Sequence, residues 1–227
     1  LKASCTPQTS SVPSGARSMK GRTPVSVEPG YLEHLATNRY FDRTFDCDAV
    51  KVLPGEYFVT TADILLVTVL GSCVTACIRD RDKGLGGMNH FMLPDASEGG
   101  MLSSSARYGA YAMEVLLNHL LKLGARRSSL EAKVFGGGQV LASLTQTQVG
   151  EKNAQFVLDY LRTERIPVVA QDLLDIYPRK VYFFPVNGRV MMKKLVRVKN
   201  DTLMEREREY QARLRRDNVQ GDVELFG

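Results

Sequence analysis

Apolar residues along this chain change their spacing in a way that marks out alternating strands and helices. Residues 1–30 are rich in Ser, Thr, Pro and Gly and poor in large apolar side chains. Such a stretch cannot bury enough surface to offset its ordering entropy. A disordered or weakly ordered leader is therefore expected over residues 1–40, with a short helix in YLEHLATNRYFD. AVKVLPGEYFVT reads as two short strands around a Pro-Gly turn. ILLVTVLGSCVTACIRD is an almost unbroken apolar run rich in β-branched residues, a buried strand interrupted at Gly71-Ser72. The tract DRDKG is a turn, and LGGMNHFMLP a further strand ended by Pro94.

From Ser104 to Leu123 the apolar positions fall three or four apart, at Tyr108, Tyr111, Ala112, Val115, Leu116 and Leu120, and Gly124 supplies a stop. Leu130–Phe135 is a strand that runs into Gly136-Gly137-Gly138. A second helix is expected after Asn153, then a strand in IPVVAQDL. RKVYFFPV and RVMMKKLVRV flank Asn187-Gly188, a strong hairpin signal. In the C-terminal stretch Thr202 and Glu205 have capping-box spacing, while Leu203, Tyr210 and Leu214 form only a thin seam. This predicts a charged surface helix. The pattern as a whole predicts an α/β fold of mixed sheets covered by helices.

Composition narrows the class. The chain has 227 residues, 44% hydrophobic and 24% charged, with a net charge of +5. These are ordinary values for a globular protein. No dense basic stripe or nucleic-acid module stands out, so nucleic-acid binding is not expected. No apolar run is long enough to cross a bilayer, and the N-terminal stretch lacks a signal-peptide pattern. Membrane insertion is thus not expected, and the expected location is the cytoplasm. Four cysteines, Cys5, Cys47, Cys73 and Cys77, fit free thiols better than a disulfide framework.

The chemistry concentrates in LGSCVTACIRDRDKGLGGMNHFMLP. Cys73, Thr75 and Cys77 share one face of their strand. A turn centred between Arg81 and Asp82 would set Cys73 opposite His90, close enough for thiol and imidazole to interact. The pairing would suit nucleophilic catalysis, with His90 as base. Gly71, Gly86 and Gly87 would bare backbone N–H groups to an oxyanion. Two other readings stay open. Cys73 could be a small buried hydrophobe. Alternatively, Cys73, Cys77 and His90 could hold zinc, although a fourth ligand is missing. His119 and His34 are expected to be structural or incidental. The triple glycine lacks the Lys-Ser/Thr of a phosphate loop and is read as a sharp turn or close backbone packing.

LGSCVTACIRD followed by GGMNHFMLP resembles the signature of the chemoreceptor glutamine deamidases, the CheD family. PGEYFVT, EAKVFGGGQVL, the residues around Gly150 and Asn153, RKVYFFPVNGRV and GDVELF resemble that family in the same order, over roughly residues 40–227. The resemblance implies a layered sandwich of mixed sheets with outer helices, similar to toxin-type deamidase domains. It implies a deamidase domain over 41–200 and a charged helical tail over 201–227. It implies hydrolysis of glutamine side-chain amides on methyl-accepting chemotaxis receptors to glutamate and ammonia, in support of chemotactic adaptation. The nucleophile would be Cys73 and the base His90, working through a thioester with no cofactor and no metal. A CheC-type phosphatase is a further partner of some members. The competing class is a chemotaxis adaptor that binds without turnover.

The sequence departs from that family twice. Where the family often has a glycine pair, this chain has Leu174-Asp175. Where the family has threonine six residues before the cysteine, this chain has Val67. A catalytic imidazole needs a partner on its second nitrogen. Thr68 should point away from the face of Val67. The backbone carbonyl of Val67 is therefore the expected partner of His90, since a carbonyl survives side-chain replacement.

Overall fold

The computed structural model describes residues 34–94, 102–140, 147–196 and 201–216. Two mixed five-stranded sheets pack face to face. The first contains β1 (Asn38–Asp42), β2 (Cys47–Lys51), β4 (Leu65–Leu70), β9 (Arg179–Phe184) and β10 (Arg189–Lys194), in the order β1-β2-β4-β9-β10. The second contains β3 (Tyr57–Thr60), β5 (Val74–Asp80), β6 (Leu85–Asn89), β7 (Leu130–Gly136) and β8 (Val168–Leu173), in the order β3-β6-β5-β7-β8. Each sheet has one parallel pair, β2 with β4 and β7 with β8. Helices α1 (Leu102–Lys122) and α2 (Thr147–Thr163) contribute Met113, Leu116, Leu120, Val157 and Leu161 to the core on the outer face of the second sheet. Helix α3 (Asp201–Arg216) carries Tyr210 into the core between the sheets.

Alternation along β4 shows how the layers arise. Leu66 and Leu70 join the inter-sheet core with Cys73, Cys77, Met88 and Phe183. Leu65 and Val67 turn the other way and pack with Phe45, Ala49 and Phe184. Thr68 therefore lies on the inner face, and its residue is fully buried there.

Three expectations need correcting. Residues Asn38–Asp42 form strand β1 instead of a helix, because pairing with β2 supplies their backbone bonds. Helix α2 begins at Thr147, ahead of Asn153. The β5–β6 hairpin pairs Asp80 with Leu85 and Cys77 with Met88, so its turn is centred between Asp82 and Lys83. Residues 1–33 and the closing GDVELF lie outside the described residues. Among the described residues no helix is long and apolar enough to cross a membrane.

Candidate active site

Strands β4 and β5 are consecutive in sequence but belong to different sheets. Gly71, Ser72 and Cys73 make the crossing, so their amides are not used up in either ladder. Their carbonyls are all taken from one side. Gly138 N–H donates to Gly71 O at 2.8 Å, and Gly137 N–H donates to Cys73 O at 2.8 Å. The Asn153 side-chain amide donates to Ser72 O at 2.9 Å. The triple glycine is thus a close-packing device. A Cβ on Gly136 would collide with Cys73 O, and one on Gly137 would lie 2.7 Å from Gly150 O. Both glycines have positive φ, at 115° and 66°.

With the carbonyls held, the three N–H groups converge on one anion. The carboxylate of Glu207, from α3, accepts from Gly71 N at 2.9 Å and Cys73 N at 3.3 Å through Oε1. Through Oε2 it accepts from Ser72 N at 3.1 Å and from the Ser72 hydroxyl at 2.7 Å. Successive amides arranged this way form a concave anion site. Cys73 sits at its end with 0% exposure. Burial first, then the neighbouring Glu207 carboxylate, push its thiol pKa well up.

His90 follows β6. Its backbone is fixed by Gly55 N–H donating to His90 O and His90 N–H donating to Glu56 O. The hairpin register places Thr75 directly opposite His90 and Met92 opposite Cys73. Cys73 and His90 are therefore diagonal neighbours, a relation with Cα atoms about 7–8 Å apart. The register differs from expectation by one residue at the turn, which moves each partner by two and keeps both side chains on the same face. His90 Nδ1 lies 2.8 Å from Thr68 Oγ1 and 3.5 Å from Val52 O. Thr68 Oγ1 donates to Val52 O at 2.8 Å. The threonine proton is thus committed to Val52, and Thr68 accepts from Nδ1–H. This leaves the Nε2 lone pair free for proton transfer. Among the described residues Nε2 is buried with no hydrogen-bond partner. Burial lowers the His90 pKa to about 4, so the ring is neutral at neutral pH.

The expected role of Val67 is not what the geometry shows. Its carbonyl accepts from Val52 N–H at 2.9 Å, and its side chain packs on the outer face. The threonine beside it holds the histidine. Gly86 and Gly87 do not bare amides either. They pair with Arg79 and Ile78 on one side and with Thr60 and Val59 on the other, in the middle of a sheet. Cys77 is buried opposite Met88, and burial raises its thiol pKa. Among the described residues no group of three or more His, Cys, Asp or Glu is placed to hold a metal ion. Cys73 and Cys77 are free thiols. His119 takes part in a 3.1 Å contact with the Tyr57 hydroxyl, and His34 stacks edge-on with Tyr111.

Two residues of this site escape sequence reasoning. Asn153 is fully buried, bridging Ser72 O and Leu93 N–H. Glu207 lies 134 positions from Cys73, in a segment whose charges read as solvated.

The model for the family described as "CheD chemotactic sensory transduction" matches residues 92–194. The "Probable chemoreceptor glutamine deamidase CheD 1" of Dechloromonas aromatica is 66% identical over 200 residues, covering 88% of this chain and 100% of that protein. The "Probable chemoreceptor glutamine deamidase CheD" of Thiobacillus denitrificans is 63% identical over 196 residues, 86% of this chain and 97% of its own length. A relative in Shewanella oneidensis, also named as a CheD deamidase, is 59% identical over 84% of this chain and 93% of its own. With identity this high over nearly the whole of each relative, the chain belongs to the CheD family.

Proposed function

We propose that this chain is a protein-glutamine glutaminase that hydrolyses glutamine side-chain amides on methyl-accepting chemotaxis receptors, and so supports chemotactic adaptation. The relatives' names give the substrate class. The observation that carries the chemistry is the anion site at Gly71–Cys73, formed at a cysteine that shares its strand face with a histidine of fixed tautomer.

Cys73 Sγ attacks the side-chain amide carbon while its proton passes to His90 Nε2. The carbonyl electrons move onto oxygen, and the N–H groups of Gly71, Ser72 and Cys73 stabilise that oxyanion. On collapse the carbon–nitrogen bond breaks, and Nε2–H protonates the leaving nitrogen, releasing ammonia. Nε2 then takes a proton from water, and the resulting hydroxide attacks the thioester. The carbon–sulfur bond breaks, the thiolate recovers its proton, and a glutamate side chain departs. Because thiol and imidazole both start neutral, proton transfer accompanies attack. Cys73 and His90 both fall within the unit expected over residues 41–200; strand β1 begins three residues ahead of it, at Asn38. The proposed location is the cytoplasm, a reducing compartment that suits the free thiols of Cys73 and Cys77.

Mass spectrometry of receptor peptides incubated with the protein tests this reading. Conversion of selected glutamines to glutamate is expected, and its absence with every receptor of the same cell refutes it.

A further inference from the structure

Helix α3 is strongly charged, yet Glu207, Tyr210 and Gln211 are buried. Glu205, Arg206, Arg208 and Glu209 remain exposed. Glu207 and Tyr210 are three residues apart, so one helical face delivers both. Glu207 occupies all three crossover amides and the Ser72 hydroxyl. Tyr210 packs in the same core as Cys73, and its hydroxyl meets that of Tyr108. Its ring lies over Gly55, where a Cβ would come 2.9 Å from Tyr210 Cε2. Arg213 stacks on that ring at 5.1 Å.

A glutamate side chain in this position has the chemistry of the product of glutamine hydrolysis. Its carboxylate lies on the amides that would hold the oxyanion. A substrate carboxamide needs the same groups, so the two cannot be bound together. We infer that α3 is a built-in product analogue: it lies on the substrate-docking surface, presents Glu207 to the catalytic crossover, and is displaced by a helical receptor segment that presents a glutamine in the same way. This rests on the glutaminase reading. While α3 is seated, Cys73 is covered and the adjacent carboxylate disfavours its thiolate. Among the described residues, the contacts that seat it come from Glu207, Tyr210 and Arg213, with Gln211 and Leu214 packed beside them, a small set that suits an occupant that must leave.

The test uses the full chain and its Glu207→Ala and Tyr210→Ala variants, with circular dichroism and urea unfolding to confirm the fold. Alkylation of Cys73 by iodoacetamide, followed by peptide mapping, reads the cover without reference to activity. Turnover of a helical receptor peptide containing glutamine reads substrate access. Hydrogen bonds to a charged group are strong enough that their loss should speed alkylation by about tenfold or more. KM should fall in both variants, because substrate no longer competes with α3. Alkylation unchanged in both folded variants overturns the inference. So does turnover that falls without any gain in alkylation, since Glu207 would then be needed for the reaction. If Cys73 is unmasked but no glutamine is converted by any variant, the cover stands and the glutaminase reading fails. If the parent chain converts glutamine and neither variant shows faster alkylation or a lower KM, the reverse holds.

Discussion

Thr68 Oγ1 stands 2.8 Å from His90 Nδ1, and the hydrogen-bond order running from imidazole through Thr68 to Val52 O makes it the acceptor of the ring N–H. Thr68→Val removes that acceptor without changing bulk. The expected result is a loss of about 100-fold in kcat, the scale of a disrupted acid–base arrangement. Thr68→Ser should restore most of it, and Val67→Thr should change kcat little because that side chain faces the outer layer. Steady-state kinetics on a glutamine peptide decide the matter. A mild Thr68→Val would leave the weaker Val52 carbonyl contact as the orienting group.

Cys73→Ala should abolish deamidation and keep the fold. Cys77→Ala should retain most activity, because Cys77 pairs with Met88 further along the strand, away from the crossover amides. The check is turnover alongside urea unfolding. Equal loss of activity in both variants would contradict the assignment of Cys73 as sole nucleophile.

Burial makes His90 a pH-sensitive element of stability. Its pKa falls from 6.5 to about 4 on folding. Below pH 6.5 the unfolded chain binds a proton that the folded chain refuses. The stabilisation is thus complete above pH 6.5 and is lost as pH falls toward about 4, up to about 3 kcal/mol. Urea unfolding between those limits should show stability declining with acid. His90→Gln should flatten that decline, and an unchanged slope in the variant would assign the acid sensitivity to other groups.

Leu174 and Asp175 both hold left-handed backbone, with φ of 64° and 69°. That conformation is costly for a residue with a Cβ. Leu174 is exposed, so Leu174→Gly should raise stability by about 1 kcal/mol. Asp175→Gly should gain less, since Asp175 also pairs with Lys194 at 2.7 Å. Thermal unfolding of the two variants tests the order. A destabilised Leu174→Gly would show that the leucine's remaining contacts outweigh its backbone strain.

Much of this was legible from local pattern. Period-two alternation places Cys73 and His90 on one face whether the turn is centred on either side of Asp82, because the pairing shifts in steps of two. The sequence flags Leu174-Asp175 only as a departure from the family's glycine pair, and the left-handed backbone at both residues is a finding of the structure. The face opposition of Val67 and Thr68 was readable too, but not which face meets the histidine. That depends on the packing of β4 in one sheet against β6 in the other. Asn153 and Glu207 were hidden for a similar reason. They reach the site from helices distant in sequence, and spacing rules stop at the ends of an element.

The crossing from β4 to β5 also ties catalysis to cooperativity. Its three residues are a stitch through both layers, held on the second-sheet side by the triple glycine and α2. The histidine's tautomer is set from the first layer, by Thr68 and Val52. If the layers slide apart, Cys73 keeps its strand while His90 loses its orientation. A collapsed state with secondary structure but loose packing should therefore be catalytically silent, and recovery of turnover during refolding should follow the docking of one sheet on the other.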